Sequence, residues 1–365
     1  MAGFADGASV AKFRAHMRLR LLLGLFALGC GSPDAQPVND AGPDVKAQNG
    51  TLAWATSDTP SRPRNHHLTF VTHAQDGSAF LVTTAGVNGG TLLNNTDIAP
   101  IAKDGSVGAF TAGPHYGTFV GGLTGTNVNG VLVGAGGNMG TTLTDWVFTS
   151  VVQPDGSLAD WQKQAPMNEQ RMHAASFAIG SRIWILGGFN ETAALDDIIF
   201  ADVGADGTIA SWNPGGKLDG PRTHMAVSFA NGFVWLTGGL SAVPTASPPN
   251  LKSVWRGSVE ADGTIDQWTQ MTPMPAGICT HSSFVYGGWL YVVGGIDDKG
   301  QSAIVRRAHL EDDGTLSTWE IAAQLPVARG HVHQLPIEND RVYSVSGATD
   351  YSLNSTNAIF VGSFL

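Results

Sequence analysis

The chain has 365 residues, of which 47 are glycine and only 14% are charged, and its formal net charge at neutral pH is −10. This length fits one large all-β domain or two smaller domains, and the glycine content favours many short strands joined by tight turns. The acidic charge argues against nucleic acid or an anionic lipid surface as a partner, because both would repel the protein.

The N-terminal residues have the order of regions found in a secretory signal. A basic segment precedes the apolar run LLLGLFALGC, which is too short to span a bilayer and fits the apolar region of a signal peptide. The end of this run, Ala27-Leu28-Gly29-Cys30, resembles a bacterial lipobox. The resemblance implies a lipoprotein signal over residues 1–29 and lipidation of Cys30. A plain secretory signal that is cleaved nearby is the alternative.

Residues 30–48 are rich in Pro, Asp and Ala and predict a flexible tether. Without residues 1–29 the chain keeps 16 Lys and Arg against 29 Asp and Glu, a net charge of −13. Only two cysteines are present. If Cys30 carries lipid, Cys279 has no disulfide partner, and we expect its thiol to be buried.

A short Asp-Gly motif recurs along the rest of the chain at intervals of about 50 residues. The Asp-Gly pair predicts a two-residue hairpin turn, because both central residues of that turn need positive φ. The copies are NGTLAW at residues 49–54 and DGSVGAF, DGSLADW, DGTIASW, DGTIDQW and DGTLSTW, which start at Asp104, Asp155, Asp206, Asp262 and Asp313.

Each repeat predicts a four-stranded antiparallel sheet. A β-rich segment with a glycine-containing turn begins near a histidine, and its second strand ends in a Gly pair in four of the units. A third strand follows, then the Asp-Gly turn, and then a short fourth strand that we expect to end in Trp161, Trp212, Trp268 or Trp319. We expect these tryptophans to pack between neighbouring sheets.

The sixth unit lacks its Asp-Gly turn and fourth strand, since the chain stops at Leu365 after the third strand. The first motif, NGTLAW, is that missing piece. We therefore predict that residues 49–365 form an all-β, six-bladed β-propeller with four antiparallel strands per blade, in which the N-terminal strand closes the ring. Closure removes exposed sheet edges.

The Gly pair after an apolar strand, the Arg-x-His start and the late Trp resemble the kelch-repeat β-propeller, in a divergent bacterial branch because the usual Tyr after the Gly pair is missing or replaced. In kelch propellers ligands often bind near the channel mouth, where the inner strands start. The resemblance therefore implies ligand-binding candidates at two repeat positions: His66, His115, His173, His224, His281 and His331, and, two residues before four of them, Arg64, Arg171, Arg222 and Arg329.

The alternative for both sets is structural. Each His would anchor a first strand and each Arg would brace the loop that enters its blade, and the repetition in every blade favours this interpretation. Accessible arginines would instead hold a carboxylate through bidentate contacts. We expect no metal and no cofactor, because zinc uses three or four ligands and not six. Cys279 and His281 lack a placed third catalytic member.

The sequence thus predicts an envelope-anchored recognition scaffold, in the outer membrane or on the cell surface, which binds a protein, peptide or glycan on the face that carries the His positions. The alternative is an enzyme acting on an acidic sugar at the channel mouth, since a sialic-acid epimerase also uses a six-bladed kelch propeller. No motif allows its catalytic residues to be assigned here, and the fold alone does not decide.

Overall fold

The computed structural model describes residues 52–350 and 354–364, which form six four-stranded antiparallel sheets in a ring. The predicted signal over residues 1–29, the predicted tether over residues 30–48 and the predicted lipidation site at Cys30 lie outside the described residues. Within the described ranges, no helix has the length and apolar character needed to cross a membrane.

The six sheets are the predicted blades, and each is a meander in chain order. Blade 1 contains β2 (Leu68–His73), β3 (Ala79–Thr84), β6 (Thr96–Ile101) and β7 (Thr111–Ala112); blade 2 contains β8 (Thr124–Val128), β9 (Val131–Ala135), β10 (Val147–Val151) and β11 (Gln162–Lys163); blade 3 contains β12 (Ala175–Ile179), β13 (Arg182–Leu186), β14 (Asp197–Asp202) and β15 (Asn213–Lys217).

The second half of the ring repeats this order. Blade 4 contains β16 (Ala226–Ala230), β17 (Phe233–Thr237), β18 (Val254–Ser258) and β19 (Trp268–Gln270); blade 5 contains β20 (Ser282–Tyr286), β21 (Trp289–Val293), β24 (Ile304–His309) and β25 (Glu320–Gln324); blade 6 contains β26 (Ile337–Glu338), β27 (Arg341–Val345), β28 (Ile359–Phe364) and β1 (Leu52–Thr56). Two small hairpins, β4 (Val87–Asn88) with β5 (Thr91–Leu92) and β22 (Ile296–Asp297) with β23 (Gly300–Gln301), and a 3-10 helix (Pro244–Ala246) lie in the loops.

The N-terminal strand closes the ring, as predicted. β1 pairs antiparallel with β28, with Leu52 opposite Phe364 and Trp54 opposite Gly362. Blade 6 is therefore assembled from both ends of the propeller, and its third strand has a partner instead of an open edge.

The meander divides the propeller into two faces. The first strands begin and the second strands end on one face, which we call the loop face because the long loops after the Gly pairs emerge there. The hairpins between first and second strands and the Asp-Gly turns lie on the opposite face, which we call the turn face. β1 starts at the turn face, since Leu52 pairs with the end of β28.

The Asp-Gly turns differ from the predicted two-residue hairpins. At Asp104-Gly105 the N–H of Gly105 donates to Ala102 O at 2.8 Å, and the N–H of Ala102 donates to Ser106 O at 2.9 Å. Only the glycine has positive φ, at 85°. This is a three-residue loop with a glycine bulge. The aspartate instead accepts the N–H of Ser106 through its side chain at 2.9 Å, and the four other Asp-Gly copies accept a Ser or Thr N–H in the same way.

The late tryptophans join neighbouring blades, as expected. The indole N–H of Trp268 donates to Lys217 O at 2.8 Å, and that of Trp319 donates to Thr272 O at 2.9 Å. In both cases the acceptor belongs to the end of the preceding blade. Trp161, Trp212 and Trp319 precede their fourth strands and do not end them, so the predicted strand bounds were shifted by several residues.

Candidate functional site

The propeller axis is encircled by a closed ring of backbone hydrogen bonds at the loop face. One residue of each blade, just before the first strand, has φ between 53° and 72° and donates its N–H to the carbonyl oxygen of the same position in the preceding blade at 2.9–3.2 Å. We call these six residues the axial ring: His66, Gly122, His173, His224, Thr280 and His331.

The axial ring corrects the predicted repeat register in two blades. Gly122 and Thr280 occupy the position that the sequence analysis assigned to His115 and His281. His115 lies in the loop before blade 2 and is exposed, whereas His281 is the residue after the ring position. A signal was present in blade 2, because the pair Gly121-Gly122 stands just before the first strand and glycine suits a position that requires positive φ.

A second set of backbone bonds ties each blade to the next. In each blade, the second residue after the second strand is a glycine, and its N–H donates to a carbonyl oxygen at the entrance of the next blade at 2.8–2.9 Å. The acceptor stands two positions before the axial-ring residue of that next blade. These acceptors are Arg64, Val120, Arg171, Arg222, Ile278 and Arg329. In blades 2 and 5 this position is therefore Val120 and Ile278, and not the residues that stand two before His115 and His281.

Four imidazoles of the axial ring stack around the axis. The ring centroids of His66 and His331 are 4.2 Å apart, those of His173 and His224 are 4.5 Å apart, and those of His66 and His173 are 5.2 Å apart. Phe189 covers His173 and His224 on one side, at 5.7 and 5.6 Å. All four histidines are fully buried.

The segment after His331 adds two side chains to this cluster, a feature that the sequence analysis missed. Blade 6 has only a two-residue first strand, and the residues before it extend toward the axis instead. The imidazole of His333 lies 5.8 Å from both His66 and His173. Gln334 accepts the N–H of Thr69 in blade 1 at 2.7 Å and donates to Gly125 O in blade 2 at 2.8 Å. Side chains of His333 and Gln334, which precede the first strand of blade 6, thus occupy the centre of the propeller.

Burial sets the charge state of these histidines. It lowers the pKa of His66, His173 and His224 well below 6.5, and the neighbouring imidazoles lower it further. His281 lies away from the axis between blades 4 and 5, where Nε2 is 2.8 Å from Thr237 Oγ1, and burial lowers its pKa to about 3. These four histidines are therefore neutral at pH 7. Among the described residues, no group of three His, Cys, Asp or Glu side chains is arranged to hold a metal ion.

The four predicted arginines are turned into their own blades. Arg171 donates to Gly187 O at 3.0 Å and forms two bonds to Asp197 at 2.8 and 2.7 Å. Arg64 bonds to Ala85 O and Asp97, Arg222 to Gly238 O and Asp219, and Arg329 to Ser344 O and Ala358 O. Their exposed fractions are 0–4%. These contacts agree with the structural alternative, in which each arginine braces the loop that enters its blade.

Of the ten predicted ligand-binding residues, His115 alone has an exposed side chain in the structure. The ligand-binding role of all ten stays a prediction, and for the nine buried residues it requires the loop face to open. Cys279 is a buried free thiol that packs with Leu240 and Ile296, as expected for an inert side chain.

Exposed apolar side chains mark a different part of the loop face. Phe119 is 57% exposed in the loop before blade 2, and Val327 is 52% exposed in the loop before blade 6. The third large exposed apolar residue, Ile321, lies on the outer strand of blade 5. A groove of about 530 Å³ lies on the turn face between Asp76 and Asp155.

Comparisons with known proteins agree with this architecture. Alpha-scruin of Limulus polyphemus is 29% identical over 190 residues, which cover 50% of this chain and 19% of that protein. The kelch repeat protein M-T8 of myxoma virus is 25% identical over 246 residues, covering 65% of this chain and 42% of that protein. Kelch-like protein 36 of Bos taurus is 23% identical over 206 residues, covering 54% and 30%. Together with the six-bladed fold, these low-identity similarities support a kelch-repeat β-propeller.

The likeness to solved structures supports the same fold. The structure of YjhT superposes on this kelch propeller with a TM-score of 0.61 and 13% identity, covering 82% of this chain and 95% of that one. No protein-family model matches the chain. The matched segments span less than half the length of each of these three curated relatives, so the similarity describes the propeller and not the relatives' whole activities.

Proposed function

We propose that this kelch propeller is a recognition scaffold that binds a protein, peptide or glycan on its loop face. The observation that carries the proposal is the pair of exposed apolar residues, Phe119 and Val327, on a face whose axis is filled by buried side chains. Apolar anchors on an open rigid surface are typical of recognition sites.

The alternative, an enzyme acting on an acidic sugar at the channel mouth, receives less support. Such an enzyme needs converging acid–base groups that a substrate can reach. The axial imidazoles of His66, His173 and His224 are neutral and fully buried, and the predicted arginines are engaged inside their blades. Recognition of a ligand on the exposed loop face, in contrast, requires no opening of the propeller.

We further propose that lipidated Cys30 anchors the propeller to a bacterial envelope membrane. Because β1 starts at the turn face, a tether over residues 30–48 would leave from that face and present the loop face outward. Limited proteolysis of intact cells tests this orientation, since the loop at residues 241–252 on the loop face should be cut readily. Preferential protection of that loop would contradict it.

Site-specific photo-crosslinking in cells tests the recognition role. A crosslinking residue at position 119 or 327 should capture a common partner. Position 321, which is equally exposed and apolar, and position 103 on the turn face are the controls and should not capture it. Equal capture from all four positions would overturn the proposal.

Incubation of the protein with acidic sugars, followed by NMR, addresses the alternative. The recognition role predicts no change in the rate of anomer or epimer exchange. A catalysed exchange that His224→Asn reduces would favour the enzyme instead.

A further inference from the structure

Among the four arginines of the Arg-x-His motifs, Arg329 has no described carboxylate beside it. Arg64, Arg171 and Arg222 pair with Asp97, Asp197 and Asp219. Arg329 is 2% exposed, and no described acidic side chain lies within ion-pair distance of its guanidinium group. Because an arginine stays protonated in proteins, blade 6 contains a buried positive charge without a counter-charge.

The repeat register shows how blade 6 lost the partner that blade 3 has. In blade 3 the N–H of Gly187 donates to Asp197 O at 2.9 Å, and in blade 6 the N–H of Ser346 donates to Ala358 O at 3.0 Å. Ala358 therefore stands at the position of Asp197. Its methyl group offers no acceptor for the guanidinium group.

The two other carboxylate positions are also apolar in blade 6. Asp219 precedes Arg222 by three residues, and Pro326 stands at the corresponding distance before Arg329. The residue that corresponds to Asp97 is Phe360, whose ring lies 3.6 Å from the guanidinium carbon of Arg329. All three sources of a counter-charge used elsewhere in the ring are therefore absent at this arginine.

The hydrogen bonds of Arg329 leave donors unused. Its Nη1 donates to Ser344 O at 3.2 Å and to Ala358 O at 3.3 Å, whereas Nε and Nη2 are buried without an acceptor. An unused Nε is common to all four arginines, but an unused Nη2 occurs only in Arg329. Burial without a compensating charge lowers the pKa of Arg329 to about 9.

A small cavity borders this arginine at the junction of blades 5 and 6. It measures about 10 Å³, and its lining includes Arg329 and the hydroxyl-bearing Thr280, Ser282 and Ser344. The Oγ1 of Thr280 is also buried without a hydrogen-bond partner. A cavity of this size holds one water-sized body. We propose that it binds a single-atom monovalent anion such as chloride, held by Arg329 and by the hydroxyl group of Thr280.

An anion suits this cavity better than a water molecule does. A water molecule can accept hydrogen bonds from both Nη2 and a hydroxyl group, but it leaves the buried charge uncompensated. A halide accepts from both Nη2 and a hydroxyl group and supplies the negative charge that Asp97, Asp197 and Asp219 supply elsewhere. A carboxylate or phosphate ligand exceeds the cavity.

Thermal unfolding of the protein at constant ionic strength tests the proposal. Replacing sodium gluconate by sodium chloride should raise Tm by a few degrees and then saturate, because a ligand that binds only the folded state stabilises it. A crystal soaked in bromide should show an anomalous peak within hydrogen-bond distance of Arg329 Nη2.

Ala358→Asp is the variant that separates a specific site from a general salt effect. It places a carboxylate where Asp197 stands in blade 3, so it should raise Tm in gluconate and abolish the response to chloride. Ser253, which stands at the same position in blade 4, provides the matched control: Ser253→Ala should keep the chloride response.

Three outcomes would overturn the proposal. The first is a Tm that is equal in chloride and gluconate. The second is a chloride response that survives in Ala358→Asp. The third is an anomalous bromide peak in the crystal together with a Tm that does not change with chloride, which would mean binding at crystal concentration only.

Discussion

The N–H of His66 donates to the carbonyl oxygen of His331 at 3.1 Å, and this bond joins blade 1 to blade 6 at the axis. It is the sixth bond of the axial ring, so every blade both gives and receives one hydrogen bond at the loop face. The β1–β28 pairing closes the same ring within blade 6. The propeller is therefore closed twice, by separate sets of backbone bonds.

The axial ring predicts that a side chain at Gly122 is destabilising. A Cβ there would lie 2.7 Å from both His173 Cε1 and Met172 Cε, at a φ of 72°. Gly122→Ala should cost about 2–4 kcal/mol, from left-handed strain plus overpacking. Gly130→Ala is the matched control, since its φ is also positive but nothing lies within 4 Å. Its cost should be about 1–2 kcal/mol. Equal losses in urea unfolding would contradict the packing argument.

The buried histidines predict a loss of stability in mild acid. Their folded-state pKa lies below 6.5, so only the unfolded chain takes up protons as the pH falls below 6.5. The free energy of unfolding should be level above that pH and should then decrease by about 1.4 kcal/mol per pH unit for each such group. His73, whose pKa is raised by Glu338, opposes this trend as one group against five, since burial also lowers the pKa of His67.

Urea midpoints measured between pH 7.5 and 5 test the pH dependence. His224→Asn should reduce the slope by about one proton, because Asn tolerates positive φ and does not titrate. A stability that is constant across this range would refute the assignment of neutral axial imidazoles.

The pairing of Arg171 with Asp197 predicts a large effect for a single substitution. Arg171→Met leaves a partly buried carboxylate without its cation and should cost about 3–5 kcal/mol. The matched control is Lys217→Met, which removes the cation from the neighbouring Asp196 in the same blade. That pair is exposed, at 71% and 37%, so the cost should be about 1 kcal/mol or less. Similar losses of unfolding free energy for both variants would mean that the ion pair of Arg171 does not stabilise the blade.

Ring closure predicts that the first strand is indispensable. Deleting residues 1–56 removes β1 and exposes the edge of β28, so the protein should aggregate or unfold at much lower temperature. Deleting residues 1–48 should leave Tm unchanged. A synthetic peptide of residues 49–56 should partly restore the shorter chain. A stable monomer without β1 would show that blade 6 needs only three strands.

The repeat pattern predicted the blades and their closure because these depend on local order. Strand periodicity and the glycine turns set each sheet, and the missing motif after residue 365 pointed to NGTLAW as its replacement. The Trp positions were informative for the same reason, since one large apolar residue recurred in each unit. The turn type was wrong because Asp-Gly suits both a two-residue and a three-residue hairpin.

The site could be predicted only in part. Arg-x-His identified the axial position in four blades, but in blades 2 and 5 the nearest histidine was not the ring residue. Backbone φ decided those two blades, because Gly122 adopts φ of 72° and Thr280 adopts 53° between hydrogen-bonded neighbours. A sequence motif based on residue type does not reveal the need for positive φ when the residue at that position changes.

The sequence by itself determined the number of blades, their strand order and the strand that closes them, since each follows from patterns within about 50 residues. Only the tertiary structure decided that His66, His173, His224 and His331 are buried together and that His333 and Gln334 fill the axis. It also decided that no described acidic side chain pairs with Arg329. Burial and charge compensation arise from contacts between blades that are distant in the chain, and closing the ring brings those groups together.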